Sequence, residues 1–133
     1  MTQKQATDES KRLNGLKVLL AEDSPDNQLI VSYMLKAAGA DVAVVDNGQA
    51  ALDRLRTQSY DVVLMDIQMP VMDGFEAIEK LRNQGNQTPV FALTAHTMSD
   101  ERRKCLDSGF TDHISKPIDP RTLLEQLSPF VVQ

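Results

Sequence analysis

The feature that most constrains this chain is a regular alternation of short apolar runs with segments of helical periodicity. Residues 16–21 and 62–65 are almost entirely apolar, as expected for strands that are buried on both faces of a sheet. Residues 25–37 repeat apolar side chains at helical spacing. Ser24 and Pro25, at the beginning of this segment, are typical of a helix start. The unit recurs, so the sequence predicts strands at 16–21, 42–45, 62–65, 89–93 and 113–115, and helices at about 25–37, 49–58, 75–81, 99–108 and 120–130.

This alternation predicts an α/β domain with a five-stranded parallel sheet. Parallel neighbours need a crossover connection, and right-handed crossovers place helices on both faces of the sheet. Ligands of such open sheets bind beyond the carboxyl ends of the strands, at the topological switch point. Candidate functional residues are therefore expected directly after the strands.

Composition restricts the partners and compartments that suit such a domain. The chain has 133 residues, enough for one domain, and 19 acidic against 14 basic side chains give a net charge of −5. This charge disfavours binding to nucleic acid phosphates or to an acidic membrane surface. The single cysteine, Cys105, cannot form an internal disulfide, which favours a reducing compartment. No apolar run reaches the roughly 18 residues of a membrane span, and residues 1–11 are too polar for a signal peptide.

The domain boundary is expected near Gly15. Residues 1–14 are polar and almost free of apolar periodicity, which predicts a flexible leader or linker. The folded domain is then expected to comprise residues 15–133.

Polar side chains follow four of the five predicted strands. Glu22 and Asp23 follow the first strand, Asp66 the third, Thr94 the fourth and Lys116 the fifth. Because the carboxyl ends of parallel strands meet at one edge, we expect these side chains to lie close together. Crowded carboxylates would raise one another's pKa unless a cation joined them. Oxygen ligands without a nearby cysteine or histidine fit Mg²⁺.

Asp66 is the candidate nucleophile of this group, because it directly follows the central buried strand. An ionised aspartate can attack phosphorus to form an acyl phosphate, and phosphoryl transfer needs mainly positioning and charge neutralisation. Thr94 would supply a hydroxyl donor and Lys116 a positive charge. Each residue alone also fits an ordinary structural role, as a loop acid, a helix cap or a surface lysine. Their shared location favours a magnesium-assisted phosphoryl site.

Four motifs, in order and at normal spacing, closely resemble the receiver domain of two-component response regulators. They are residues 18–23 (VLLAED), 65–74 (MDIQMPVMDG), 92–95 (ALTA) and 115–117 (SKP). The resemblance covers about residues 15–131 and is greatest to receivers attached to hybrid sensor histidine kinases. It implies a flavodoxin-like (βα)5 doubly wound fold with strand order 2-1-3-4-5.

The resemblance also implies a role for each site residue. Asp66 would accept a phosphoryl group from a phosphohistidine on a histidine kinase or a histidine phosphotransfer domain. Asp23 would bind Mg²⁺ directly and Glu22 mainly through water, and the backbone carbonyl of Gln68 would be a further ligand.

Further residues would switch the domain and carry its output. Thr94 would move to bond the phosphoryl oxygen, and Lys116 would pair with the phosphate after a cis peptide bond to Pro117. The first helix would meet the phosphodonor, and the face formed by the fourth helix, fifth strand and fifth helix would carry output. The family's switch aromatic on the fifth strand is usually Tyr or Phe, and His113 occupies that position here. His96 and Gln68 resemble positions at which the family tunes phosphate lifetime, and His96 fits an exposed loop histidine equally well.

Three alternative functions share some features of this sequence. A phosphatase of the haloacid dehalogenase type needs a second aspartate two residues after the nucleophile, where this chain has Gln68. A flavodoxin would open its first strand into a Ser/Thr/Gly phosphate loop, whereas Glu22 and Asp23 would repel a bare phosphate. A degenerate receiver that binds partners without phosphorylation is disfavoured by the intact set of acids, threonine and lysine.

The sequence therefore predicts a phosphoacceptor module of a two-component phosphorelay that catalyses only its own phosphorylation and dephosphorylation. Its expected partners are a histidine kinase or a histidine phosphotransfer domain, and neither nucleic acid nor membrane. It is expected to be a monomer or weak dimer in the cytoplasm, either alone or as the cytoplasmic part of a membrane-bound sensor kinase, for which residues 1–14 would suit a linker.

Overall fold

One parallel sheet organises the chain, for which a computed structural model describes residues 12–95 and 99–131. The strands are β1 (Lys17–Ala21), β2 (Asp41–Val45), β3 (Val62–Asp66), β4 (Val90–Thr94) and β5 (Asp112–Ser115), in the order β2-β1-β3-β4-β5. The helices are α1 (Pro25–Ala37), α2 (Gly48–Thr57), α3 (Gly74–Asn83), α4 (Ser99–Ser108) and α5 (Pro120–Leu127), and a 3₁₀ turn covers Ser128–Phe130. The predicted α/β flavodoxin-like fold and strand order are confirmed.

The sheet separates two apolar clusters, because successive side chains of a buried strand point to opposite faces. On one face, Leu19 and Met65 pack with residues of α2, α3 and α4, including the buried Cys105. On the other face, Leu20 and Leu64 pack with residues of α1 and α5. The central strands β3 and β4 are buried at every position, which accounts for their apolar sequences. Cys105 is a packing residue of this core.

Among the residues that the structure describes, four helices begin with a side-chain cap that fixes the direction of the chain at the helix start. Each capping oxygen accepts a hydrogen bond from a backbone amide of the first turn. The pairs are Ser24 with Asn27, Asn47 with Ala50, Asp73 with Glu76, and Asp119 with Thr122. The amino ends of these helices consequently lie at the same edge of the sheet as the strand ends.

The packed unit includes Leu13, which lies within the predicted leader. Leu13 is fully buried in the cluster with α1 and α5, and its amide donates to the carbonyl of Ala38 at 2.9 Å. A single apolar residue within a polar stretch produces no periodic pattern, so the burial of Leu13 could not be predicted from the sequence. Residues 1–11 lie outside the described residues, so the leader itself stays a prediction.

Helix α1 exposes part of the apolar pattern by which it was predicted. Val31 and Leu35 face the core, whereas Leu29, Ile30 and Tyr33 are 73%, 51% and 74% exposed. We call these three exposed side chains the α1 apolar surface. Within the described ranges, no helix is both long enough and apolar enough to span a membrane.

Candidate functional site

Three carboxylates meet at the carboxyl ends of β1 and β3, which are neighbours in the sheet. Glu22, Asp23 and Asp66 each place a carboxylate oxygen within 4.8 Å of the others. Glu22 and Asp66 are buried, at 1% and 6% exposure, whereas Asp23 is exposed. The predicted convergence of these acids therefore exists in the structure.

Lys116 joins two of these carboxylates from the end of β5. Its Nζ donates to Asp66 Oδ2 at 2.8 Å and lies 3.3 Å from Glu22 Oε1. Its backbone amide donates to the carbonyl of Thr94 at 2.8 Å, and the Lys116–Pro117 peptide bond is cis, as expected. Burial lowers the pKa of Lys116, but the hydrogen bond and charge of Asp66 and the charge of Glu22 outweigh it, so the pKa is raised. The ammonium group is therefore held in its charged form.

Glu22 is the most constrained of the acids. Its Oε2 accepts a hydrogen bond from the Ser24 amide at 3.0 Å. Lys116 lies at ion-pair distance from Oε1 but is not aligned for a hydrogen bond, so Oε1 has no hydrogen-bond partner among the residues described. Burial raises the pKa of Glu22, and the charge of Asp66 adds to this effect, while the Ser24 amide and Lys116 oppose it.

These observations test whether a divalent cation fits the site. A buried carboxylate oxygen without a hydrogen bond is costly unless a cation or a donor satisfies it. Oε1 of Glu22 lacks a hydrogen bond, and the Lys116 ammonium 3.3 Å from it is shared with Asp66, so one positive charge faces two buried carboxylates. Oxygens of Asp23 and Asp66 lie beside Oε1, which leaves negative charge for a further cation to balance. Hard oxygen ligands of this charge are those that Mg²⁺ prefers. The residues present therefore fit a magnesium ion.

The remaining predicted site residues border the same cleft, which has a volume of about 310 Å³. Thr94 is buried at the end of β4 and lines the cleft. The backbone amide of Gln68 donates to Asp66 Oδ1 at 3.2 Å, while the Gln68 side chain is exposed. A water molecule occupies roughly 30 Å³ in the liquid, so the cleft has room for a phosphoryl group.

The two histidines are not equally described. His113 lies on β5 in register with Ala92, and its Nδ1 is 3.2 Å from Asp112 Oδ1. Its side chain is 17% exposed, so the position of the usual switch aromatic is largely buried here. His96 lies outside the described residues.

Several residues at the site were not predicted from the sequence. Asn27 and Glu101 line the cleft, and the side-chain amide of Gln28 donates to the backbone carbonyl of Glu22 at 2.6 Å. Gly74 packs so closely that an added Cβ would lie 2.6 Å from the carbonyl oxygen of Asp66. Only the position of Gln28 in the first turn after the acidic pair could have indicated its role.

This arrangement suits chemistry on a phosphoryl group. Asp66 offers an oxygen nucleophile in the wall of the cleft, and Lys116 brings a positive charge to it. The buried acids can hold a cation that shares the negative charge of a phosphoryl oxygen.

Comparison with known proteins shows similarity over most of the chain. A family model described as the response regulator receiver domain matches residues 18–128. The chain is 43% identical over 114 residues to the sensor histidine kinase GacS of Pseudomonas protegens. The matched region covers 82% of this chain and 12% of GacS. It is 38% identical over 119 residues to the histidine-protein kinase BarA of Escherichia coli K12, and this match covers 88% of this chain and 13% of BarA. The chain thus spans a small part of the length of these relatives.

Solved structures show the same similarity in three dimensions. The receiver domain of the sensor histidine kinase PA1611 from Pseudomonas aeruginosa, with a magnesium ion coordinated in its active site cleft, gives a TM-score of 0.81 at 36% identity, covering 88% of this chain and 98% of that chain. A chain from the co-crystal structure of the Saccharomyces cerevisiae histidine phosphotransfer protein Ypd1 and the receiver domain of Ssk1 gives 0.84 at 27% identity, covering 90% of each chain. On this combined evidence of sequence, fold and site geometry, the chain belongs to the response regulator receiver domain family.

Proposed function

We propose that Asp66 is the phosphoacceptor of this receiver domain and takes a phosphoryl group from a phosphohistidine. The observation that carries the proposal is the contact between Asp66 and Lys116 at 2.8 Å, within a cleft that also brings the carboxylates of Glu22 and Asp23 together. Asp66 is the acid in this group that continues the central strand, so its backbone is rigidly placed.

In the proposed reaction, a carboxylate oxygen of Asp66 attacks phosphorus and forms a P–O bond. The P–N bond to the donor histidine breaks, and the imidazole nitrogen keeps the electron pair. Dephosphorylation is the attack of water on the same phosphorus, which releases inorganic phosphate and restores the carboxylate. The domain would thus catalyse its own phosphorylation and dephosphorylation, and no other reaction is proposed for it.

The neighbouring residues would stabilise the charge that develops on the phosphoryl oxygens. Lys116 would pair with one oxygen, and the hydroxyl of Thr94 would donate to another. Glu22, Asp23, Asp66 and the backbone carbonyl of Gln68 would hold Mg²⁺. When bound, Mg²⁺ would supply positive charge that lowers the repulsion between the incoming phosphoryl group and the carboxylates.

We further propose that the phosphodonor docks on α1. The α1 apolar surface follows directly from the loop that carries Glu22 and Asp23, so a partner seated on it would reach the cleft. Large exposed apolar side chains that are adjacent on a helix are typical of an interface. The structural similarity to a receiver domain that was crystallised with a histidine phosphotransfer protein supports such a partner.

The wider context is also a proposal. Similarity to GacS and BarA supports a hybrid histidine kinase, or a separate protein that receives its phosphoryl group from one, as the setting of this domain. We propose a cytoplasmic location, a monomer or weak dimer, and no direct contact with nucleic acid or membrane, in keeping with the net charge of −5.

The deciding experiment is incubation of the full chain with acetyl phosphate and Mg²⁺, followed by intact mass measurement. We expect a gain of one phosphoryl group, which is lost in Asp66→Asn and in the presence of a chelator. Asp53→Asn, an exposed acid on α2, is the matched control and should be phosphorylated like the wild type. Failure of the wild type to gain mass would refute the proposal and favour a receiver that acts without phosphorylation.

A further inference from the structure

Gln28 makes a short hydrogen bond that the phosphoryl chemistry alone does not require. It lies in the first two turns of α1, and its side-chain Nε2 donates to the backbone carbonyl of Glu22 at 2.6 Å. Its backbone amide donates to the carbonyl of Ser24 at 2.9 Å, as expected within a helix. Gln28 therefore ties the beginning of α1 to the loop that precedes it.

The carbonyl that Gln28 holds belongs to the peptide that joins Glu22 to Asp23. Two further groups of Glu22 are also held, because its backbone amide donates to the carbonyl of Val45 at 3.0 Å and its Oε2 accepts from the Ser24 amide at 3.0 Å. The orientation of this one peptide sets the relative placement of two neighbouring acids. With the carbonyl fixed, Oε1 of Glu22 stays in the cleft near the carboxylates of Asp23 and Asp66.

We propose that Gln28 is a positioning residue for the divalent cation site. Its amide donor holds the Glu22–Asp23 peptide in the orientation that presents both carboxylates to one ion. The inference rests on the proposed function in one respect, namely that the cation is Mg²⁺. Groups that orient metal ligands from outside the coordination sphere typically change metal affinity by about 10- to 100-fold when they are removed.

The test compares variants that differ in the donor at this position. Gln28→Met keeps nearly the full side-chain length but has no hydrogen-bond donor. Gln28→Ala removes both the length and the donor, and Gln28→Arg supplies N–H donors again. Gln49→Met is the matched control. Gln49 lies at the start of α2, and its side chain donates to the exposed side chain of Asp53. Mg²⁺ alone is titrated into the full chain by calorimetry, and the free energy of unfolding without Mg²⁺ is measured for each variant.

We expect Gln28→Met and Gln28→Ala to weaken the Kd for Mg²⁺ by about tenfold or more. Gln28→Arg should remain within about threefold of the wild type, and Gln49→Met should match it. A purely structural role would lower the free energy of unfolding but leave the Kd unchanged, and that result would overturn the inference. Equal weakening in the Met and Arg variants would overturn it too, because the donor would then be irrelevant.

The outcome is separable from that of the proposed function. Calorimetry requires no phosphorylation, so a chain that binds Mg²⁺ but is never phosphorylated would refute the phosphoacceptor role and leave this inference standing. Wild-type affinity in both Gln28→Met and Gln28→Ala would refute the inference alone. A wild-type chain that binds no Mg²⁺ would refute both.

Discussion

Gly74 shows how closely the backbone approaches the candidate phosphoacceptor. It begins α3, and its amide donates to the carbonyl of Ile67 at 2.8 Å. A Cβ at this position would lie 2.6 Å from the carbonyl oxygen of Asp66 and 2.9 Å from the Cα of Ile67. Both of these are backbone atoms, which cannot move aside as a flexible side chain can. Glycine is required here for space.

Gly74→Ala is therefore expected to push α3 away from the end of β3. We predict a loss of about 2 kcal/mol in the free energy of unfolding, and slower phosphorylation by acetyl phosphate because Asp66 is displaced. Gly85→Ala is the control, since it meets no atom within 4 Å but has a φ of 83° that disfavours alanine. It should be destabilised by roughly 1 kcal/mol yet phosphorylated at the normal rate. A normal rate in Gly74→Ala would contradict the prediction.

Lys116 balances the negative charge of two buried carboxylates. Its removal should therefore lower the free energy of unfolding most when no cation is bound. In Lys116→Met, we predict a loss of roughly 2–3 kcal/mol in the free energy of unfolding in EDTA, because Glu22 and Asp66 are left without their counter-charge. Added Mg²⁺ should recover part of that loss. Urea unfolding in both media measures the effect, and Lys80→Met, whose partner Glu76 is 51% exposed, should change stability by about 0.5 kcal/mol at most. Equal losses with and without Mg²⁺ would count against this account.

At the scale of elements, a charged contact joins α4 to β5. Asp112 Oδ1 accepts from the backbone amide of His113 at 2.8 Å and from Arg102 Nε at 3.4 Å. Burial raises the pKa of Asp112, but these hydrogen bonds and the charge of Arg102 outweigh it, so the pKa lies below its ordinary value of 3.8. The contact lies on the face that the resemblance assigns to output.

The lowered pKa fixes the sign of a pH dependence. A carboxyl whose pKa is lower in the folded state stabilises that state fully above its unfolded pKa, and the contribution is lost as the pH falls through the folded value. We predict that Asp112→Asn lowers the free energy of unfolding at pH 7 and that its deficit relative to the wild type shrinks below pH 3.8. Arg102→Gln keeps the hydrogen bond from the His113 amide to Asp112. Its free energy of unfolding at pH 7 should therefore lie between those of the wild type and Asp112→Asn. A deficit that is constant with pH, measured by urea unfolding, would contradict the prediction.

The predicted elements and the observed ones agree where a regular pattern specifies them. The strands were predicted because buried runs are short and apolar, and the site was predicted because parallel strands bring their ends to one edge. The side of α1 that is buried could not be predicted, because both sides of the helix carry large apolar side chains. Leu29 and Tyr33 are exposed, whereas Val31 and Leu35 are buried. The hydrogen bond of Gln28 could not be predicted either, since a bond to a backbone carbonyl leaves no sequence pattern beyond the position of Gln28 after the acidic pair.

At the scale of the whole molecule, Leu13 and Leu16, which lie directly before β1, are part of the core. Leu13 is buried, and the amide of Gly15 donates to the carbonyl of Gly39 at 3.1 Å. These residues therefore pack against the carboxyl end of α1. The domain is therefore attached to whatever precedes it through packed residues.

Leu13→Ala should consequently destabilise the entire domain. We predict a loss of about 3 kcal/mol in the free energy of unfolding, which is typical of a buried leucine that leaves a cavity. Leu106→Ala, at a side chain that is 41% exposed, is the control and should lose about 0.5 kcal/mol. Urea unfolding of the full chain distinguishes the two, and similar losses would show that Leu13 does not contribute to the core as described.

The hydrogen bond from Arg12 Nη2 to Ser128 Oγ, at 3.2 Å, brings the beginning and the end of the described unit side by side. Domains with adjacent ends tolerate insertion and circular permutation. A protein engineer could thus graft this receiver into a surface loop of a fluorescent reporter, where both junctions would fit a narrow gap.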